Sequence, residues 1–372
     1  MQEILAIGFF QGLILSSLLF LKSLQNKNFT WLMGFFVLLI SAFIAGPLLN
    51  QWIGEPWGSF LVDPLFLLIG PSFYGYILLL SRPEKEKSLK FHTLAFFLYL
   101  PLLAFFALKV YKTQADPQSL QLIYSSGFAV GLGILKFAHL LIYVGLSFWE
   151  LRNHQDRIQK IFSNLKGKDL LWVRYILISF LALSLISFGF YLFALQNPNW
   201  QKEITFFNLI LLSAFLISLT FYSFHQKSIF DFRFKFKEIQ FSWTAEKENP
   251  KYEKSGLKEY EVAKINQKID QWIQNKGYLD PEVNLGVMAD AIGVSPYRIS
   301  EVLGKYRKTS FYDLINSHRI REIQQALSDP NYAHLTILGI AFEFGFNAKS
   351  TFNTAFKKFT GMSPSEFKRS NH

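Results

Sequence analysis

The sequence predicts an all-α protein in two parts: a bundle of seven membrane-length helices over residues 1–225, then a tandem helix-turn-helix domain over 257–372. Three observations predict it. Hydrophobic residues make up 51% of the 372, and 41 of them are phenylalanine, more than an ordinary soluble chain carries. These residues gather in long runs before residue 225. The C-terminal third instead carries one short pattern twice: an alanine, a glycine four residues later, and an apolar residue next.

The apolar runs lie at about 4–21, 29–49, 60–80, 91–110, 120–148, 170–195 and 204–224, each near the ~20 residues a helix needs to cross a bilayer core. Loops after the first, third and fifth runs hold Lys22 and Lys27; Arg82, Lys85, Lys87 and Lys90; and Arg152, Arg157, Lys160, Lys166 and Lys168. The even-numbered loops offer Lys109, Lys112 and Lys202. Positive residues mark the inner side, so the expected placing is multi-pass in the inner (cytoplasmic) membrane, amino terminus outside and everything after His225 in the cytoplasm. The first run has no basic stretch before it and no obvious small-residue cleavage site after it, so it is expected to be retained.

The net charge of +11 divides into +6 for residues 1–225, +3 for 226–276 and +2 for 277–372, so it is no basic nucleic-acid tail. With no cysteine, disulfides, thiolate metal sites and cysteine nucleophiles are excluded. No Gly-rich phosphate loop or metal-ligand cluster is apparent, so neither catalysis, a metal nor a cofactor is expected.

Inside the apolar runs, Lys136 stands out in the fifth, with His139 one turn along on the same face. Two readings stay open: a pocket sensing a small-molecule or membrane signal, or a lysine that fixes packing. Asp63 opens the third run near the outer surface, a depth expected to keep it from pairing with Lys136. Prolines 47, 64, 71 and 101 are expected to kink helices. Trp52 and Trp57 are expected at the lipid–water interface, as anchors.

Residues 226–256 read as a juxtamembrane linker. Its aromatic–basic alternation from Phe230 to Lys237 fits a short strand, or rings at the interface with Arg233, Lys235 and Lys237 on anionic lipid. From Leu257 helical periodicity returns, with Val262, Ile265, Ile269, Trp272 and Ile273 on one stripe. That helix leads into the next domain or forms a dimer seam.

The repeated pattern is what a helix-turn-helix requires: a small residue where two helices cross, a glycine able to take the left-handed turn, and an apolar plug after it. Ala289, Gly293 and Val294 supply it in a unit over about 285–305; Ala341, Gly345 and Phe346 supply it in a unit over about 337–360. The second helix of each is the one offered to a DNA major groove. In the first, about Pro296 to Gly304, Ile299, Val302 and Leu303 face inward, leaving Ser295, Tyr297, Arg298, Ser300 and Glu301 as candidate DNA contacts. In the second, about Lys349 to Phe359, the phenylalanines 352, 356 and 359 face inward, leaving Asn347, Lys349, Ser350, Thr351, Asn353, Thr354, Lys357 and Lys358. Arg298 and Asn353 suit base edges; Lys357 and Lys358 suit phosphates. Between the units, apolar spacing from Phe311 to Leu327 predicts one long helix that fixes the separation of the two reading helices, near the ~34 Å between successive major grooves.

Residues from about Leu257 to Arg369 resemble the DNA-binding domain of AraC-type transcription regulators. The resemblance rests on Gly345, Phe346, Phe352, Phe356, Gly361, Ser363, Pro364, Phe367 and Arg369, which follow that family's glycine–aromatic, spaced-phenylalanine and GxSPxxY/F-R tail, with Lys368 inserted. Arg319, Ile320 and Ala326 resemble its RLxxA segment at an offset spacing. The whole plan is similar to bacterial regulators that fuse a multi-helix membrane sensor to this domain. The resemblance implies double-stranded DNA, the lipid bilayer and the transcription machinery as partners, with a homodimer as a candidate assembly. The expected function is a membrane-embedded, sequence-specific regulator of transcription; the alternative is a membrane transporter or enzyme whose helix-turn-helix docks proteins.

Overall fold

The computed structural model describes residues 2–26, 29–54, 56–112, 126–165, 168–225 and 257–370. The aromatic–basic run of the linker lies outside these. Every regular element among the described residues is helical. They form two compact units: residues up to Arg152 together with those from Leu170 to His225, and Asn153–Asp169 together with the residues from 257 on.

The first unit holds α1 (Gln2–Asn26), α2 (Thr30–Ile53), α3 (Trp57–Val62), α4 (Phe66–Ser81), α5 (Leu94–Lys112), α6 (Gly127–Gln159, to Arg152), α7 (Leu171–Gln196) and α8 (Gln201–His225). Among the described residues, seven stretches are long and apolar enough to cross a membrane, one of them, 57–81, built from α3, a 3-10 turn and α4. The break falls at Asp63–Leu65, where Pro64 has no N–H to continue the α ladder. Pro47, Pro71 and Pro101 lie inside α2, α4 and α5. The core is made by α2 and α4, with Phe36, Val37, Ile40, Phe73 and Ile77 packed against Val173, Leu177 and Phe180 of α7. In the apolar window of α2 61% of residues are buried, and in 57–81 78%; in the other five the share is 11–28%. The peripheral helices thus turn apolar side chains outward, as with Phe10, Ile14, Leu98 and Ile142.

The second unit is two small bundles on a shared helix. The first contains α9 (Glu259–Gln274), α10 (Leu285–Ile292) and α11 (Pro296–Glu301), the last running into a π turn at Val302–Tyr306. Val262, Ile265 and Ile269 of α9 pack with Leu285, Met288, Ile299 and Leu303, so the α9 stripe serves this core rather than lying open as a seam. The second bundle contains α13 (Ile337–Glu343), α14 (Lys349–Thr360) and α15 (Pro364–Ser370). The long helix α12 (Phe311–Leu327) gives Phe311, Leu314 and Ile315 to the first core and Tyr312, Ile320, Ile323 and Leu327 to the second. One helix therefore fixes both bundles, as the spacing predicts. Side-chain caps start these helices: Asn284 accepts from Gly286 and Val287, Ser295 from Arg298, Ser310 from Asp313 and Thr336 from Gly339.

Candidate nucleic-acid interface

The two turns are built alike. Gly293 has φ +61° and Gly345 φ +87°, in the left-handed region that glycine enters without a Cβ clash. Val294 N–H donates to Ala289 O at 3.1 Å, and Phe346 N–H to Ala341 O at 3.0 Å. Ala289 and Ala341 are buried where the helices cross. The sequence repeat is thus a repeat of hydrogen bonds.

Gly345 is the tighter position: a Cβ there would lie 2.5 Å from the Leu279 carbonyl oxygen. The reason is Arg319 of α12, which is fully buried and donates from Nε to Tyr278 O and from Nη2 to Asp280 O, each at 2.7 Å. It draws the 278–280 segment against the second turn. Burial lowers its pKa to about 10, so it stays protonated at neutral pH. Beside it, Tyr278 donates to Glu322 at 2.6 Å, which holds the Glu322 carboxyl below its ordinary range, while burial raises the Tyr278 hydroxyl.

The candidate contacts fall into three groups. On α14, Lys349, Ser350, Asn353, Thr354 and Lys357 are exposed, whereas Phe352 and Phe356 are buried in the core. Others are exposed or half-buried but engaged: Lys358 bonds Asp313 at 2.7 Å, Asn347 bonds Glu282 at 3.0 Å, and Arg298 pairs with Glu261 at 3.3 Å. Ser295 is spent as the α11 cap, Tyr297 and Ser300 are half-buried, and Glu301 is bonded to Lys305 at 2.6 Å rather than left open. Two placements depart from the sequence reading. Thr351 does not face outward; it is buried and donates to Asn164 Oδ1 at 2.9 Å. Phe359 is 37% exposed, because Phe367 of α15 folds onto Phe356, ring centroids 5.4 Å apart, and completes the core instead.

In the first unit, Lys136 bonds Asp63 Oδ1 at 2.6 Å, and Tyr99 donates to Asp63 Oδ2 at 2.6 Å. Asp63 is therefore the partner of Lys136, contrary to the depth expectation: the 3-10 turn at 63–65 brings its carboxylate to α6. Lys136 also lines a cavity of about 230 Å³ walled by Phe43, Phe66, Phe137, Phe180 and Phe188, with Ser187 and Asn208 bonded to each other at 2.6 Å on its rim. His139 is not in that lining; its ring lies 4.9 Å from Tyr143. The two residues read as one candidate site have separate surroundings.

A family model described as a helix-turn-helix domain matches residues 288–370, from within α10 to the end of α15. Residues 288–370 are an AraC-type helix-turn-helix domain. Over 100 residues the chain is 21% identical to a probable transcription factor, PqrA, of Proteus vulgaris, covering 27% of this chain and 80% of that protein. No solved structure matches the chain. The AraC-type domain supports double-stranded DNA as a partner and a regulator as the class of protein.

Proposed function

We propose that this protein is a membrane-embedded regulator of transcription that detects a signal within its helical bundle and binds promoter DNA through both helix-turn-helix units. The observation that carries it is the union, in one chain, of an AraC-type domain with seven membrane-length apolar stretches, the peripheral ones turning apolar side chains outward. In water such a surface associates or aggregates, whereas in lipid it is matched. The basic loops favour an orientation that leaves the domain in the cytoplasm. On the DNA side, Arg298 and Asn353 read bases while Lys357 holds phosphate. On the signal side, the cavity beside Lys136 suits a small, largely apolar molecule with one hydrogen-bonding end.

The test is to fractionate cells making the full chain, then to map the DNA it retains with and without candidate apolar signals. Recovery in the membrane fraction together with discrete enriched fragments is the expected result. Uniform recovery of DNA at physiological salt overturns sequence-specific regulation.

A further inference from the structure

Residues 153–169 are a basic stretch between two apolar runs, yet its described stretch 153–165 is packed into the DNA-binding unit. Ile158, Ile161 and Phe162 are buried there, and Leu165 joins the second core. Phe162 forms an antiparallel bridge with Asn284, and Leu285 N–H donates to Ile161 O at 2.8 Å, at the first residue of α10. Ser163, fully buried, donates to Val283 O at 2.8 Å. Asn316 of α12, also fully buried, donates to Ser163 O at 2.9 Å, and Thr351 of α14 donates to Asn164 Oδ1. One short segment thus holds the first helix-turn-helix, the shared helix and the second reading helix at once.

We infer that residues 153–165 are a brace that sets the position of the two helix-turn-helix units relative to each other, and that binding to DNA through both units depends on it; this rests on the DNA-binding reading above. Two observations favour a brace over a plug. Asn316 interrupts the apolar stripe of α12, and its amide has its donor partner in the segment; a buried amide without one is costly. Asn353, Thr354 and Lys357 remain exposed with the segment in place, so the reading face is supported rather than covered. The segment is also the continuation of α6, the helix that carries Lys136, so a signal received there has a covalent route to it.

The chain has no cysteine, so Phe162→Cys with Asn284→Cys introduces a single pair, at bridge positions where side chains approach closely. In membranes holding the full chain, mild oxidation is expected to link 162 to 284, read by mass spectrometry of the joined peptides, and not to link 162 to Asp290→Cys, which is exposed on α10. Ser163→Ala with Asn164→Ala is expected to weaken binding to the DNA fragment most enriched by the unmodified chain about tenfold, while oxidation of the 162–284 variant leaves its affinity no lower than that of the same variant reduced. Failure of the link to form, or undiminished binding by the alanine variant, overturns the brace. Loss of binding on oxidation overturns it in favour of a plug. If the link forms but the unmodified chain enriches no fragment, the DNA-binding reading falls and the brace's role in it falls too.

Discussion

The guanidinium of Arg319 lies 5.5 Å from the ring centroid of Phe346, so a charge on the shared helix is covered by the residue that follows the second turn's glycine. The same group satisfies two backbone carbonyls of the 278–280 segment. Arg319→Ala leaves both carbonyls without that donor and opens a void between the two bundles; the expected cost is about 3–5 kcal/mol. Arg319→Lys is expected to recover little, since one ammonium cannot span both carbonyls with the fork's geometry. Hydrogen exchange of the amides in α12 and α14 in the full chain measures this; protection equal to the unmodified chain would contradict it.

The two turn glycines differ in what surrounds them, which separates two substitutions of identical chemistry. Gly293→Ala places a methyl 3.9 Å from its nearest neighbour, Lys268 Nζ, so backbone strain alone is expected, about 1 kcal/mol. Gly345→Ala adds a clash with the Leu279 carbonyl to that strain, with a loss of at least about 2 kcal/mol. Equal losses in denaturant titrations of the second unit would rule out this distinction.

For DNA, Lys357→Ala is expected to weaken binding to all sequences alike and to reduce the salt slope by about one. Arg298→Ala is expected to change base preference, by about 1–3 kcal/mol at one position. Because Arg298 pairs with Glu261, Glu261→Gln is expected to strengthen its contact with DNA rather than weaken it. Competition assays at several salt concentrations read all three variants, and a uniform loss for Arg298→Ala would reverse the assigned roles.

In the helical bundle, Lys136→Met leaves the Asp63 carboxylate without its cation. The expected loss is about 1–3 kcal/mol, moderated because both side chains are partly exposed. Adding Asp63→Asn is expected to return most of it, so the double variant is more stable than the single one. Thermal unfolding in micelles tests the pair, and additive losses would show that it is not coupled.

A pH effect follows from His318, stacked 5.4 Å from Tyr278. Burial first, then Arg321 and Arg307, lower its pKa below the ordinary 6.5, against the opposing pull of Asp270 and Glu322. The folded unit therefore favours neutral imidazole. The stability this contributes is present above pH 6.5 and is lost as pH falls through the lowered folded value. His318→Gln is expected to flatten unfolding free energy across that window; an unchanged slope would place the dependence elsewhere.

Most of this architecture was legible because its signals are periodic or local. Seven apolar runs need no partner to be recognised, and Ala–Gly–apolar spacing encodes a turn through φ at one residue. The contacts at Asp63 and Asn164 were not, because each depends on residues far apart in the chain: 73 positions for Asp63 and Lys136, 187 for Asn164 and Thr351. A clue to the second lay in the spacing of Ile158, Ile161, Phe162 and Leu165 within a charged loop, more apolar than a solvated connection requires. Phe359 was misplaced because helical periodicity says which way a side chain points, and not where the core it points toward ends.

The DNA-binding unit is discontinuous in sequence, and this bears on how the protein is made. Residues 153–169 leave the ribosome well before their partners, so Ile158, Ile161 and Phe162 await helices not yet translated. Thr351 can meet Asn164 when synthesis is nearly complete, which gives a late, long-range closing step. A fragment that begins at residue 257 lacks this part of the unit from the outset.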